Sequence, residues 1–250
     1  MTTNQTQNTN SKDPGFQHFS FLPNIITLCN LFTGFVSILM ASRGHFRTAC
    51  YLVIVSIIWD SLDGNIAKIF KNPTELGKQL DSLADVVSFV VAPCFIVTML
   101  LFPNLSIPVF LVCFAYLGCG TLRLAMFNLA PSVPDQFAGL PTPGAAIVLN
   151  LTVAASIENH WDKQSFFHPA LLGLMALISF LMVSKVPYPK FSGMPFSRWS
   201  VYLYACILLA CTAGFLVNLE TALAVVPLFF LFVCPAICLP FFQTAPARKS

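Results

Sequence analysis

The sequence predicts an all-α, polytopic membrane bundle of about eight transmembrane helices with both termini on the cytoplasmic side. Three observations carry that expectation. Charge is scarce: 13 Lys/Arg and 10 Asp/Glu make up 9% of 250 residues, against about 25% in an ordinary soluble domain. Apolar residues reach 56%, with 25 Phe and a mean hydropathy of +0.77. They fall in continuous runs rather than in the short alternating segments of a membrane β-barrel. Finally, the basic residues are unevenly shared between the two sides that those runs create. This composition excludes a disordered chain, a basic nucleic-acid-binding surface and a conventional water-soluble globule.

Residues 1–20 are polar, rich in Asn, Gln and Thr, without the pattern of a secretory signal or an Arg-rich transit peptide, and read as a flexible tail. At about 20 residues per span, the apolar runs predict helices over 21–41, 48–68, 78–101, 108–128, 143–157, 168–186, 199–217 and 222–242. Each run ends where Pro, Gly or charge interrupts it. The separators are SRGHFR, KNPTELGK, FPNLS, PSVPDQFAGLP, ENHWDKQS, PYPKFSGMPFSR and NLE. Asn72-Pro73 marks the second turn, because Pro disfavours helix at the residue before it. Trp161 and Trp199 stand near span ends, where indoles anchor to the membrane interface. Three parts follow: the tail 1–20, a core of six helices over 21–186, and two further helices with a short basic tail over 187–250.

With the N-terminus in the cytoplasm, that side collects Lys12, Lys68, Lys71, Lys78, Lys185, Lys190, Arg198, Arg248 and Lys249. Only Arg43, Arg47 and Lys163 fall on the opposite side, and Arg123 lies inside a span. The nine cysteines all sit in apolar runs without CxxC spacing or a nearby His, so they read as small packing residues. The four histidines lie in the tail or the connectors and are not candidates for catalysis.

The informative stretch runs from Asp60 to Asp85. Asp60, Asp63, Asp81 and Asp85 are four of the ten acids, within or at the ends of the second and third runs. A carboxylate at membrane depth is costly and marks a paired or functional site. On a helix, Asp60 and Asp63 share a face with Gly64 and Ala67 beside them, and Asp81 and Asp85 share a face of the next helix. Folding the hairpin at Asn72-Pro73 sets Asp60 level with Asp85 and Asp63 level with Asp81, about one to two turns inside the cytoplasmic face. Four like charges crowded in a dry site either take up protons or recruit cations. An all-oxygen set without Cys or His favours Mg2+, Mn2+ or Ca2+ over zinc. Gly64 and Gly77, lacking side chains, admit a bulky ligand close to the backbone, and Lys68 is placed to meet a phosphate.

These residues resemble the signature of the CDP-alcohol phosphatidyltransferases, D-x2-D-G-x2-A-R-x8-G-x3-D-x3-D. All four Asp, both Gly, the Ala and every spacing match, and Lys68 stands where the family usually has Arg. Lys keeps the charge and loses the planar two-pronged contact. Further stretches are similar to the serine-accepting branch of that family: Leu22-Pro23-Asn24 through Thr27 to Asn30, Asp85-Val-Val-Ser88-Phe, Arg123 to Asn128, Phe137 to Pro143, and Ser184 to Phe191. Val90 replaces a usual Gly, and Met126 a frequent Arg.

The resemblance implies transfer of a phosphatidyl group from CDP-diacylglycerol to the serine hydroxyl with release of CMP. It implies one or two Mg2+ or Mn2+ ions on Asp60, Asp63, Asp81 and Asp85, no organic cofactor, and Asp85 as the base. Asn24, Thr27, Gly64, Ala67, Lys68 and Gly77 would meet the CDP moiety, and Arg123 and Lys185 the acceptor or a phosphate. Asn24 and Thr27 are equally suited to bonding a neighbouring helix, Arg123 to pairing with one of the aspartates, and Lys185 and Lys190 to snorkelling toward the interface. Partners are the two substrates and the bilayer, with no nucleic acid; a homodimer is common in the family, though the sequence shows no mark of one. Three alternatives stay open at this point: the same chemistry on glycerol phosphate, inositol, choline or an archaeal-type lipid, a divalent-cation transporter, and a non-enzymatic lipid-binding scaffold.

Overall fold

The computed structural model describes residues 21–70, 75–101, 106–129, 137–184 and 187–188. The chain is helical there apart from one two-residue strand pair. The helices are α1 (Phe21–Ser42), α2 (Phe46–Phe70), α3 (Glu75–Asp85), α4 (Ala92–Leu100), α5 (Ile107–Leu129), α6 (Thr142–Glu158) and α7 (Phe167–Val183). A π-helical turn, Val86–Val91, joins α3 to α4, so that Glu75–Leu100 is one 26-residue rod. The first six apolar runs coincide with α1, α2, the α3–α4 rod, α5, α6 and α7. The seventh and eighth fall outside the described residues.

Local chemistry sets the helix ends. Gly44 takes a left-handed backbone (φ 80), and the bonds His45 N→Met40 O (2.9 Å) and Gly44 N→Ala41 O (3.0 Å) close the end of α1 in a Schellman arrangement. This turn folds α2 back along α1. In the rod, Pro93 has no N–H and leaves the Phe89 carbonyl without its α-helical donor. The buried Tyr116 hydroxyl of α5 donates to that carbonyl at 3.1 Å. Pro143 falls in the first turn of α6, where a missing N–H costs nothing.

α6 is buried along nearly its whole length, from Thr142 to Ser156, and forms the centre of the bundle. Small residues such as Ala145, Ala146, Ala154 and Ala155 let its neighbours approach. Phe89, Val90, Ile96, Val97, Tyr116, Met175 and Ile178 complete the core. Val90 seats itself on Gly120 of α5, where an added Cβ would lie 2.9 Å from both Val90 methyl carbons. The departure at Val90 is thus accommodated by an absent side chain opposite.

Phe32 and Phe35 of α1 and Phe110 and Phe114 of α5 are exposed, an outward apolar surface suited to lipid. Three described segments, Asn24–Ser42, Glu75–Leu100 and Ile107–Leu129, are long and apolar enough to cross a membrane. α6 and α7, at 17 residues each, are shorter. β1 (Phe137–Ala138) and β2 (Pro187–Tyr188) pair antiparallel, Phe137 with Tyr188 and Ala138 with Pro187. Together with Leu140 N→Leu181 O at 3.0 Å, they fasten the connector after α5 to the one after α7.

Candidate active site

Three of the four aspartates gather directly. One carboxylate oxygen each from Asp60, Asp63 and Asp81 lies within 4.8 Å of the others. Asp85 stands beside Asp60, within hydrogen-bonding reach, and within electrostatic reach of Asp81 and Asp63. The adjacency of Asp60 to Asp85 and of Asp63 to Asp81 is the register expected of a hairpin closed near Asn72-Pro73. Asp63 and Asp85 are buried, and Asp60 and Asp81 half-buried.

α1 lies along this hairpin and reaches both of its arms. Thr27 Oγ1 donates to Asp63 Oδ2 at 2.8 Å, and Asn30 Nδ2 donates to Asp85 Oδ1 at 3.2 Å. Thr27 and Asn30 are one helical turn apart, so a single face of α1 holds one acid of α2 and one of α3. Asn24 is half-buried a turn earlier on the same helix. Closer packing farther along fixes the approach: a Cβ on Gly34 would come within 2.8 Å of the Ser88 Cα, so only glycine lets α1 and the π turn touch there.

A hard divalent cation suits this constellation. The donors are all carboxylate oxygens, and Asp81 Oδ1 is buried without a hydrogen-bond partner among the described residues. Gly64 is exposed beside the acids, and a Cβ built there meets nothing within 4 Å. Gly77 is half-buried at the start of α3.

Among the described residues, cations stand around the cluster rather than in it. Lys78 Nζ donates to the Asn128 carbonyl near the end of α5 (3.4 Å), and Asn128 Nδ2 donates to Ser82 Oγ (2.7 Å). Both contacts stitch α3 to α5 and leave the carboxylates alone. Arg123 is buried on α5, its guanidinium donating to Thr142 Oγ1 at 2.6 Å. Its Nε has no partner among the described residues, and Asp85 lies within electrostatic reach. Ala67 and Lys68 belong to α2, but their side chains lie outside the described residues, as do Lys185 and Lys190.

Sequence reasoning passed over several residues that shape the site: Asn30 on Asp85, Ser88 and Ser56 around Asn30, and Thr142 under Arg123. The available signal was a polar amide in the middle of an apolar run, which demands a partner. Which partner it takes depends on how α1 crosses the hairpin.

A helical, membrane-capable bundle with a hard-oxygen acidic cluster at one end defines an integral membrane protein built around a cation-capable site. The chain belongs to the CDP-alcohol phosphatidyltransferase family, whose family model matches residues 20–233. It is similar to a CDP-diacylglycerol–serine O-phosphatidyltransferase of Helicobacter pylori, 34% identical over 200 residues that cover 79% of this chain and 83% of the relative. An archaetidylserine synthase of Methanothermobacter thermautotrophicus is 32% identical over 184 residues, covering 73% and 75%. A CDP-diacylglycerol–serine O-phosphatidyltransferase of Bacillus subtilis is 30% identical over 173 residues, covering 69% of this chain and 92% of the relative.

Proposed function

We propose that this chain transfers the phosphatidyl group of CDP-diacylglycerol to the hydroxyl of serine, giving phosphatidylserine and CMP. The convergence of the four signature aspartates at one end of the bundle carries the reading. Family membership supplies the reaction class; serine is named in two of the relatives as the substrate and in the third within its product, archaetidylserine. A divalent-cation transporter does not fit that membership. The Bacillus subtilis relative has 92% of its length covered by a match of 173 residues, so a chain bearing that printed activity extends little beyond the matched region.

Asp60, Asp63 and Asp81, joined by Asp85, would hold one or two Mg2+ or Mn2+ ions. Such ions, when bound, screen the pyrophosphate and stabilise the departing CMP phosphate. The chain's own groups do the rest. Asp85 Oδ1 is engaged by Asn30, and Oδ2 is the oxygen to which we assign the acceptor proton. The serine oxygen bonds to the phosphorus bearing diacylglycerol, the bridging P–O bond to CMP breaks, and the hydroxyl proton passes to Asp85. Arg123, held by Thr142 with Nε turned to no protein partner among the described residues, offers a donor to the serine carboxylate. The exposed position at Gly64 would receive the CDP moiety, with Asn24, Thr27, Ala67, Lys68 and Gly77 as the residues assigned to it and Lys185 assigned to a phosphate. The skew of basic residues supports eight spans with both termini and the acidic end in the cytoplasm.

The test is CMP release by the purified protein with CDP-diacylglycerol, Mg2+ or Mn2+, and serine, glycerol phosphate, inositol or choline. Serine alone should drive release, and Asp81→Asn and Asp85→Asn should each abolish it. Release that survives either change overturns the mechanism, and release driven only by another alcohol overturns the acceptor.

A further inference from the structure

The amide that holds Asp85 is itself held in an unusual way. Asn30 is fully buried in α1. Its main-chain carbonyl, four bonds from the amide, is approached by three hydroxyls from three segments. Ser88 Oγ of the π turn donates to it at 3.0 Å, Thr33 Oγ1 of α1 lies at 2.9 Å, and Ser56 Oγ of α2 at 3.4 Å. Thr33 and Ser56 also bond each other at 2.6 Å. A hydroxyl in an apolar helix ordinarily satisfies itself on its own backbone one turn back. Ser82, Thr98, Thr121, Thr152 and Ser179 do so here. Ser88 crosses to another helix instead, immediately after Asp85 in the same rod.

The result is a closed loop of contacts. Asp85 is bonded by the Asn30 side chain, and three residues farther along, Ser88 bonds the Asn30 main chain. Both ends of a short stretch of the rod are thus pinned to one residue of α1. The Gly34–Ser88 approach one turn above leaves no room for that stretch to slide. Such a clamp fixes one carboxylate oxygen and with it the direction of the other.

We propose that Asn30 is a positioning residue for the transfer reaction: it fixes Asp85 through Oδ1 so that Oδ2 faces the acceptor hydroxyl, and Ser88 with Ser56 and Thr33 fixes Asn30. This rests on the role given above to Asp85 as proton acceptor. A base must stand within hydrogen-bond reach of the proton that it removes, and displacement by about 1 Å costs on the order of 10²-fold in rate. Asn30 and Ser88 bond Asp85 and the Asn30 carbonyl rather than Asp60, Asp63 or Asp81, so nucleotide binding should depend on the clamp less than the transfer step does.

The experiment compares wild-type protein with Asn30→Leu, which keeps most of the side-chain volume and removes the donor, and with Ser88→Ala, which loosens the clamp without touching Asp85. Ser37→Ala serves as control, since its hydroxyl bonds the Ala49 carbonyl between α1 and α2 at 2.8 Å, away from the site. Initial rates of serine-dependent CMP release give kcat and KM for both substrates, CMP binding is measured separately, and melting is followed in the same detergent. Asn30→Leu should lower kcat by about 10²-fold and Ser88→Ala by about 3- to 10-fold. Both KM values and CMP affinity should stay within about threefold, and Ser37→Ala within about twofold of wild type throughout. Unchanged kcat in Asn30→Leu, or a loss confined to KM and CMP binding, overturns the proposal. If Asn30→Leu does not fold, Ser88→Ala decides alone: a lower kcat at constant CMP affinity supports it, and an unchanged kcat overturns it. Wild-type protein that releases no CMP with serine fails the underlying reading instead, a result distinct from all of these.

Discussion

Where α2 begins and α6 ends, the carboxylate of Glu158 pairs with Arg47, and the same guanidinium lies 5.8 Å from the centre of the Tyr51 ring. About 20 Å farther along α2, Asp60 and Asp63 meet Asp81 and Asp85, and no ion pair reaches them among the described residues. Thr27 and Asn30 contribute neutral hydrogen bonds instead. Lys78, close in sequence, spends its charge on a carbonyl of α5. The first carboxylate is complete within the chain. The second group has no ion-pair partner among the described residues, and carboxylates crowded in an apolar setting favour a bound proton or cation. The two groups of acids therefore differ in what donates to them, a guanidinium at Glu158 and a neutral hydroxyl and amide at Asp63 and Asp85.

The strongest way to break that contrast is to remove charge from the second group. Asp60→Asn should reduce CMP release by at least about 10³-fold, as should chelation of divalent cations by EDTA, with recovery on adding Mg2+ or Mn2+. The melting temperature of Asp60→Asn should hold or rise, because a repulsion is lost. A fall in melting temperature with activity retained would mean that the acids are structural after all. Arg123 gives an intermediate effect and a sharper question. As a donor to the acceptor carboxylate, its replacement in Arg123→Ala should raise KM for serine by about 10- to 100-fold, with kcat less affected. As an internal partner for Asp85, it would instead lower kcat and destabilise the fold while leaving KM for serine in place. The smallest effect belongs to the opposite end. Glu158→Gln should leave CMP release within about twofold of wild type and shift melting by a few degrees at most, because Arg47 is largely exposed.

Much of this was legible in the order of residues, for a physical reason. Helical periodicity and rise fix which residues of a tight hairpin face each other, so Asp60 with Asp85 and Asp63 with Asp81 could be matched across Asn72-Pro73. The helices as far as Val183 showed because lipid-facing and core-facing surfaces are both apolar. Contacts decided between helices distant in sequence were not legible. Nothing in Val-Val-Ser-Phe-Val-Val marks a π turn, and Ser88 reads like any hydroxyl that bonds its own backbone. The strand pair joins Phe137 to Tyr188 across 50 intervening residues. Val90 could be seen as a departure, but Gly120, the vacancy that admits it, is 30 positions away on another helix.

The π turn has a further consequence for how the rod can change. A single wide turn adds one residue to the count without adding a regular step, so everything after it is indexed one position out of phase with everything before it. Restoring the regular ladder while keeping all six residues from Val86 to Val91 would swing Ile96 and Val97, now fully enclosed, by about 100° around the axis, while Asp81 and Asp85 stayed where they are. The rod is therefore two helices sharing one backbone, each with its own angular setting. The half that carries the acids can keep its orientation while substitutions accumulate in the half beyond the π turn.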